Sequence, residues 1–179
     1  MNIAVYCSAK SQIPDNYKML GIQLGQWIAN AGHTLVFGGA TGGIMTAISE
    51  TVFNNKGSVI GIIPKRIVRA GRLSNACTQL IEVDSMATRK QEMRNMADIF
   101  VCLPGSYGTL DEMFDVIAAG TVGEHHKPIY IVNYDGFFTP LQNLIATMKK
   151  LQFIPAEEAY KPIWVNSIEN LIEQLKQIS

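Results

Sequence analysis

Apolar residues recur along the chain in short runs, "NIAVYC", "TLVFG", "SVIGII", "QLIEV", "DIFVCL", "PIYIVN" and "PIWVN", most of them continuous rather than alternating. Continuous β-branched runs predict strands covered on both faces, as in a parallel sheet. Longer stretches with apolar positions three and four apart lie between several of them: "NYKMLGIQLGQWIANAG", "IMTAISETVFNN", "SMATRKQEMRNMA" and "TLDEMFDVIAAG". That spacing predicts helices. The alternation predicts a doubly wound α/β fold, with a mainly parallel sheet of about seven strands and helices on both faces. No repeat, low-complexity tract or Pro/Ser linker interrupts the pattern, so residues 1–179 read as a single domain.

Ligands of open α/β sheets bind beyond the carboxyl ends of the strands, where the strand order reverses. That rule selects three segments. They are "CSAK" after the first strand, with Ser8; "GGATGGIM" after the second, with Gly38, Gly39, Gly42, Gly43 and Met45; and "PGSYGTLDE" after the fifth. The last carries Pro104, Gly105, Ser106, Tyr107, Gly108 and Thr109. Its glycines precede a helix whose first amides lack intrahelical partners, a natural anion site to which Ser106 and Thr109 can add hydroxyl donors. A plain strand-to-helix turn explains the same glycines. Neither glycine turn has GxGxxG spacing or a P-loop lysine, so dinucleotide binding and ATP hydrolysis are poorly supported.

Two charged residues have two readings each. Thr109-Leu110-Asp111-Glu112 fits a capping box, in which the Glu112 carboxylate folds back onto the backbone; alternatively Glu112 is an acid facing the crevice. At about 100° per residue, Arg89 falls on the same helix side as Met86, Met93, Met96 and Ala97. A cation there needs a partner. It either bridges to a structural carboxylate or faces a ligand or subunit. Lys90, at the edge of that face, can snorkel to solvent.

Composition adds exclusions. Fifteen Lys and Arg balance fifteen Asp and Glu, so no global field draws the chain to nucleic acid or membrane, and any anion site must be local. With 47% hydrophobic residues, 179 residues suffice for one core. Cys7, Cys77 and Cys102 have neither metal-ligand spacing nor a CxxC pair, which fits a reducing cytoplasm. No run nears the roughly 18 apolar residues of a membrane span, and no signal peptide is expected.

The late motifs resemble a known family. "PGSYGTLDE" is similar to the PGGxGTxxE signature of the LONELY GUY family, and Met86-Ala87-Thr88-Arg89-Lys90 resembles its MxxRK element. "GGATGGIM" corresponds to its glycine turn after the second strand, and the resemblance runs through nearly the whole chain. Members are Rossmann-like homodimers, and the characterised ones are phosphoribohydrolases of nucleoside 5′-monophosphates, including cytokinin ribotides. The resemblance therefore implies Glu112 and Arg89 as the catalytic pair, and Gly105, Ser106, Gly108 and Thr109 around the phosphate. Met86 and Lys90 join the candidate substrate contacts. It implies no metal or redox cofactor, a nucleoside monophosphate as the small-molecule partner, and a homodimer built on the helices with "SMATRKQEMRNMA" and "TLDEMFDVIAAG". Relatives labelled lysine decarboxylases bring no pyridoxal phosphate site with them here.

Four positions depart from the pattern. Ser106 replaces the second signature glycine, Thr88 stands where many members carry Glu or Gln, and Ala118-Ala119 replace the Thr-Trp frequent in plant members. The segment "PKRIVRAGR" is basic: Lys65, Arg66, Arg69 and Arg72 read as a solvated loop or as contacts to extra phosphate. His125 and His126 read as surface loop, His33 as a structural turn residue, the cysteines as small core residues, and the methionines as core or subunit interface.

Overall fold

The computed structural model describes residues 1–178. Its seven strands are β1 (Asn2–Tyr6), β2 (Thr34–Phe37), β3 (Ser58–Pro64), β4 (Gln79–Val83), β5 (Ile99–Cys102), β6 (Ile129–Val132) and β7 (Ile163–Val165). They form one sheet in the order β4-β3-β2-β1-β5-β6-β7, and every neighbouring pair is parallel. The helices are α1 (Asp15–Asn30), α2 (Gly43–Asn54), α3 (Lys65–Arg69), α4 (Met86–Met96), α5 (Tyr107–Thr121), α6 (Thr139–Lys150) and α7 (Ile168–Lys176). The expected α/β architecture is thus the observed one.

The continuous apolar runs divide between the two sheet faces by the period-two alternation of a strand. From β1 and the residue after it, Ile3, Val5 and Cys7 pack into the core that also holds Leu24, Ile44, Ile48 and Leu171, from α1, α2 and α7. Ala4 and Tyr6 enter the opposite core with Met93, Met113 and Val116, from α4 and α5. Both faces are covered, which is why neither shows polar alternation.

The order reverses at β1, which pairs with β2 on one side and β5 on the other. Beyond the strand ends the ladder continues: Leu103 N donates to Tyr6 O at 2.9 Å and Ser8 N to Pro104 O at 3.1 Å. These bonds tie the "CSAK" loop to the "PGSYGTLDE" loop above the switch point.

Local structure differs from expectation in three places. Helix α5 begins at Tyr107 with Ser106 as its N-cap, so Thr109 lies inside the helix and the capping box does not form. The basic segment contains the short helix α3 instead of being loop throughout. His125 is buried, not a surface residue: its Nε2 lies 2.9 Å from Val116 O, and its ring meets those of Phe100 and Tyr160. His126 remains exposed.

Candidate functional site

Two helices deliver the principal charges. Ser85 caps α4, its Oγ accepting a bond from Thr88 N at 3.0 Å, and this fixes where the helix turns begin. One turn in, Arg89 points at the sheet with Met93 and Ala97, all three buried. Its Nε donates to Ile62 O at 3.1 Å, and its Nη1 donates to Glu112 Oε1. Glu112, in the second turn of α5, is 5% exposed. The open alternatives thereby meet: the carboxylate that pairs Arg89 is the residue that the capping box would have claimed.

Burial pushes the Glu112 carboxyl above its ordinary value, while the Arg89 charge and hydrogen bond pull it back, and the net direction is upward. Tyr6, beneath the pair, has its phenol raised first by burial and then by the Glu112 charge. Burial raises the Cys7 thiol so far that it holds its proton at neutral pH, which removes it as a nucleophile.

The pair forms one wall of a cavity of about 220 Å³. Of the expected residues, Gly38, Met45, Met86, Arg89, Ser106, Gly108, Thr109 and Glu112 line it. The N-terminus of α5 opens on it too, and the Ser106 side chain makes no cap bond, so its hydroxyl and the first amides are not consumed by the helix itself. Gly105 is bare because a Cβ there would lie 2.0 Å from Thr109 Oγ1.

Other expected residues lie elsewhere. Ser8, Pro104 and Gly105 line an adjoining apolar cavity that shares Ser106, with Ile13, Tyr17 and Phe137. Gly42 and Gly43 line a more open concavity with Lys10 and Thr46. Gly39, Tyr107 and Lys90 stand outside all three. Lys90 bonds Asp111 at 2.8 Å and approaches Asp115 at 3.4 Å on the outer side of α5.

Sequence reasoning did not assign Ala40, Pro64 and Ile67 to the cavity, and it left Arg72 as loop or ligand contact. Arg72 comes to the rim because an antiparallel bridge joins Ala40 to Leu73 and Thr41 N donates to Arg72 O at 2.9 Å. Its guanidinium reaches only Thr41 O, at 3.4 Å, and has no carboxylate partner among the described residues. Arg66 and Arg69 are exposed. The basic segment therefore splits, with one arginine at the site and two outside it.

Known proteins resemble the chain over most of its length. Residues 45–175 match the family described as possible lysine decarboxylase. The chain is 32% identical over 177 residues, 99% of its length and 72% of the relative's, to the probable cytokinin riboside 5′-monophosphate phosphoribohydrolase LOGL2 of Oryza sativa subsp. japonica. It belongs to the LONELY GUY family. Within that family, the phosphoribohydrolase LOG of the same plant is 35% identical over 161 residues, 90% of this chain and 66% of that protein. Among solved structures, the molybdenum cofactor binding protein of Rippkaea orientalis superposes with a TM-score of 0.76 at 25% identity, covering 99% of this chain and 96% of that one. The fold is therefore shared by proteins named for hydrolysis and for binding. No helix among the described residues is long and apolar enough to cross a membrane.

Proposed function

We propose that the protein hydrolyses the N-glycosidic bond of purine nucleoside 5′-monophosphates, of the AMP or cytokinin type, releasing free base and ribose 5-phosphate. The observation that carries this reading is the buried Arg89–Glu112 pair lining one small cavity together with the N-terminus of α5. That terminus takes the phosphate through its first amides, Ser106 and Thr109. The cavity is below the roughly 300–1,000 Å³ usual for ligand sites. It suits the sugar-phosphate end of a nucleotide, with the base at the open rim near Met86, Ile67 and Arg72.

The C1′–N bond breaks, the base leaves with its bonding pair and takes up a proton from solvent, and water attacks C1′. Positive charge on the ribose peaks between the two events, by extension from glycoside hydrolysis. Ionised Glu112 stabilises that charge and accepts the proton released by the water. Arg89 keeps the buried carboxyl ionised and oriented, and phosphate binding at α5 positions the sugar. The raised carboxyl is better matched to proton transfer near neutrality than an exposed glutamate. No step uses a metal or redox cofactor. A homodimer completes the proposal. Exposed apolar side chains stand on α5 (Phe114) and α6 (Leu144, Met148), and beyond their ends at Val122, Leu151 and Phe153. The apolar side of α4 is used by its own core, which moves the proposed interface toward α5 and α6. Three free cysteines suit a reducing cytoplasm.

Product chromatography with AMP, GMP and prenylated AMP tests the reaction; base and ribose 5-phosphate in equal amounts are expected. Absence of base release from every nucleoside monophosphate refutes it. The likeness to a molybdenum cofactor binding protein supports a second reading, a nucleotide-binding carrier. Stoichiometric binding by calorimetry without turnover is its signature. Sedimentation at micromolar concentration checks the dimer.

A further inference from the structure

We infer that Gly38 is a positioning residue for the reaction: its bare Cα is the seat on which the Arg89 guanidinium lies, and so it fixes how Arg89 meets Glu112. This rests on the hydrolase reading above. A glycine after a strand invites explanation by backbone freedom or close ligand approach, and the neighbouring Gly39, at φ +67°, does need that freedom. Gly38 is absent from the positive-φ glycines, so its conformation is open to other residues. What excludes a side chain is space. A Cβ on Gly38 would lie 1.8 Å from Arg89 Nη2, 2.9 Å from Cζ and 3.3 Å from Nε.

A flexible arginine tip would ordinarily swing aside, but this one is held by two hydrogen bonds and by burial. Nε donates to Ile62 O, Nη1 donates to Glu112, and the residue is 6% exposed. The register sets Phe37 opposite Gly61, so the position after each brings Gly38 beside Ile62. The Ile62 carbonyl and the bare Cα thus form one shelf where β2 ends beside β3. A methyl group on that shelf must cost either the Ile62 bond or the Glu112 bond. Loss of the latter leaves Glu112 buried without its cation, a state in which the carboxyl binds its proton more tightly.

The test uses Gly38→Ala in the full chain, with three readouts. Carboxyl ¹³C NMR without substrate should show Glu112 titrating at higher pH than in wild type. Turnover of the best nucleoside monophosphate should fall at least ~10-fold in kcat with KM little changed, and the acid limb of the pH profile should move the same way as the titration. Thermal stability should complete a cycle: Gly38→Ala lowers Tm when Arg89 is present and not in the Arg89→Ala background, because the clash has gone. If Gly38→Ala alone fails to fold and the double variant folds, the cycle gives the same answer. An unmoved Glu112 titration, or an equal Tm loss in both backgrounds, overturns the inference. A wild-type protein without hydrolase activity refutes the reading beneath it, while the titration and the cycle still report on the seat.

Discussion

Two sets of ion pairs join α4 to α5 and the turn after it, and they differ in environment. On the inner side Arg89 meets Glu112, with side chains 7% and 5% exposed, against the ends of the strands. On the outer side Lys90 and Arg94 reach Asp111, Asp115 and Glu124 at 2.7–3.4 Å, each with between 19% and 57% of the side chain exposed. Water screens the outer ladder, whose pairs are each worth about 0–1 kcal/mol. The inner pair has lost its water, so each charge depends on the other and a substrate that enters the cavity meets both undiluted. Proximity in sequence is no guide to this division: Arg89 and Lys90 are adjacent, yet only the first reaches the cavity.

Removing one member of the inner pair should have the largest effect. Arg89→Met keeps the apolar stem and strands Glu112, a change worth roughly 3–5 kcal/mol when a buried charge is left without its partner. The carboxyl escapes part of that cost by taking up a proton. A folded-state pKa raised above the unfolded value makes stability fall as pH rises from the ordinary glutamate range through the raised one. Tm against pH should therefore slope more steeply downward in Arg89→Met than in wild type, and turnover should be lost. A variant with wild-type Tm at pH 8 would show that the pair is not the isolated unit described.

An intermediate effect is expected at His125, where burial lowers the imidazole pKa and the bond to Val116 O offsets it only in part. Arg94, Lys127 and His126 add repulsion to its charged form. A depressed base gives stability that is present above the unfolded value near ~6.5 and is lost as pH falls below it. Acidification from pH 7.5 to 5 should lower Tm, and His125→Phe should flatten that slope. The outer ladder should give the smallest effect. Asp115→Asn should cost at most about 1 kcal/mol by denaturant unfolding, and about 1 M salt should shrink the difference. A loss of several kcal/mol there would erase the contrast between the two sets.

The strands were legible because β-branched runs mark them without reference to anything distant, and the three candidate loops followed from their carboxyl ends. The pairing of Arg89 with Glu112 was not, since Thr109-x-x-Glu112 fits a cap as well as it fits a helix turn facing α4. What decides between them is that Ser106 begins the helix, three residues ahead of Thr109. His125 sits in polar sequence, and its burial comes from Tyr160 and Phe100, at positions 35 and 25 residues away in the chain. Arg72 reaches the cavity rim through the Ala40–Leu73 bridge, a long-range contact that local composition does not encode.

Glu112→Gln tests the central claim most directly, since it keeps the shape of the side chain and removes only the charge. Steady-state kinetics on a nucleoside monophosphate, run beside thermal unfolding of the same preparation, give both numbers needed. The account predicts a loss of at least ~10²-fold in kcat, the lower end for a positioned acid or base, from a protein that still folds, its Tm lowered because the buried Arg89 charge has lost its partner. Near-normal turnover in that folded variant would contradict it, leaving Arg89–Glu112 as a structural pair at the edge of an otherwise unexplained cavity.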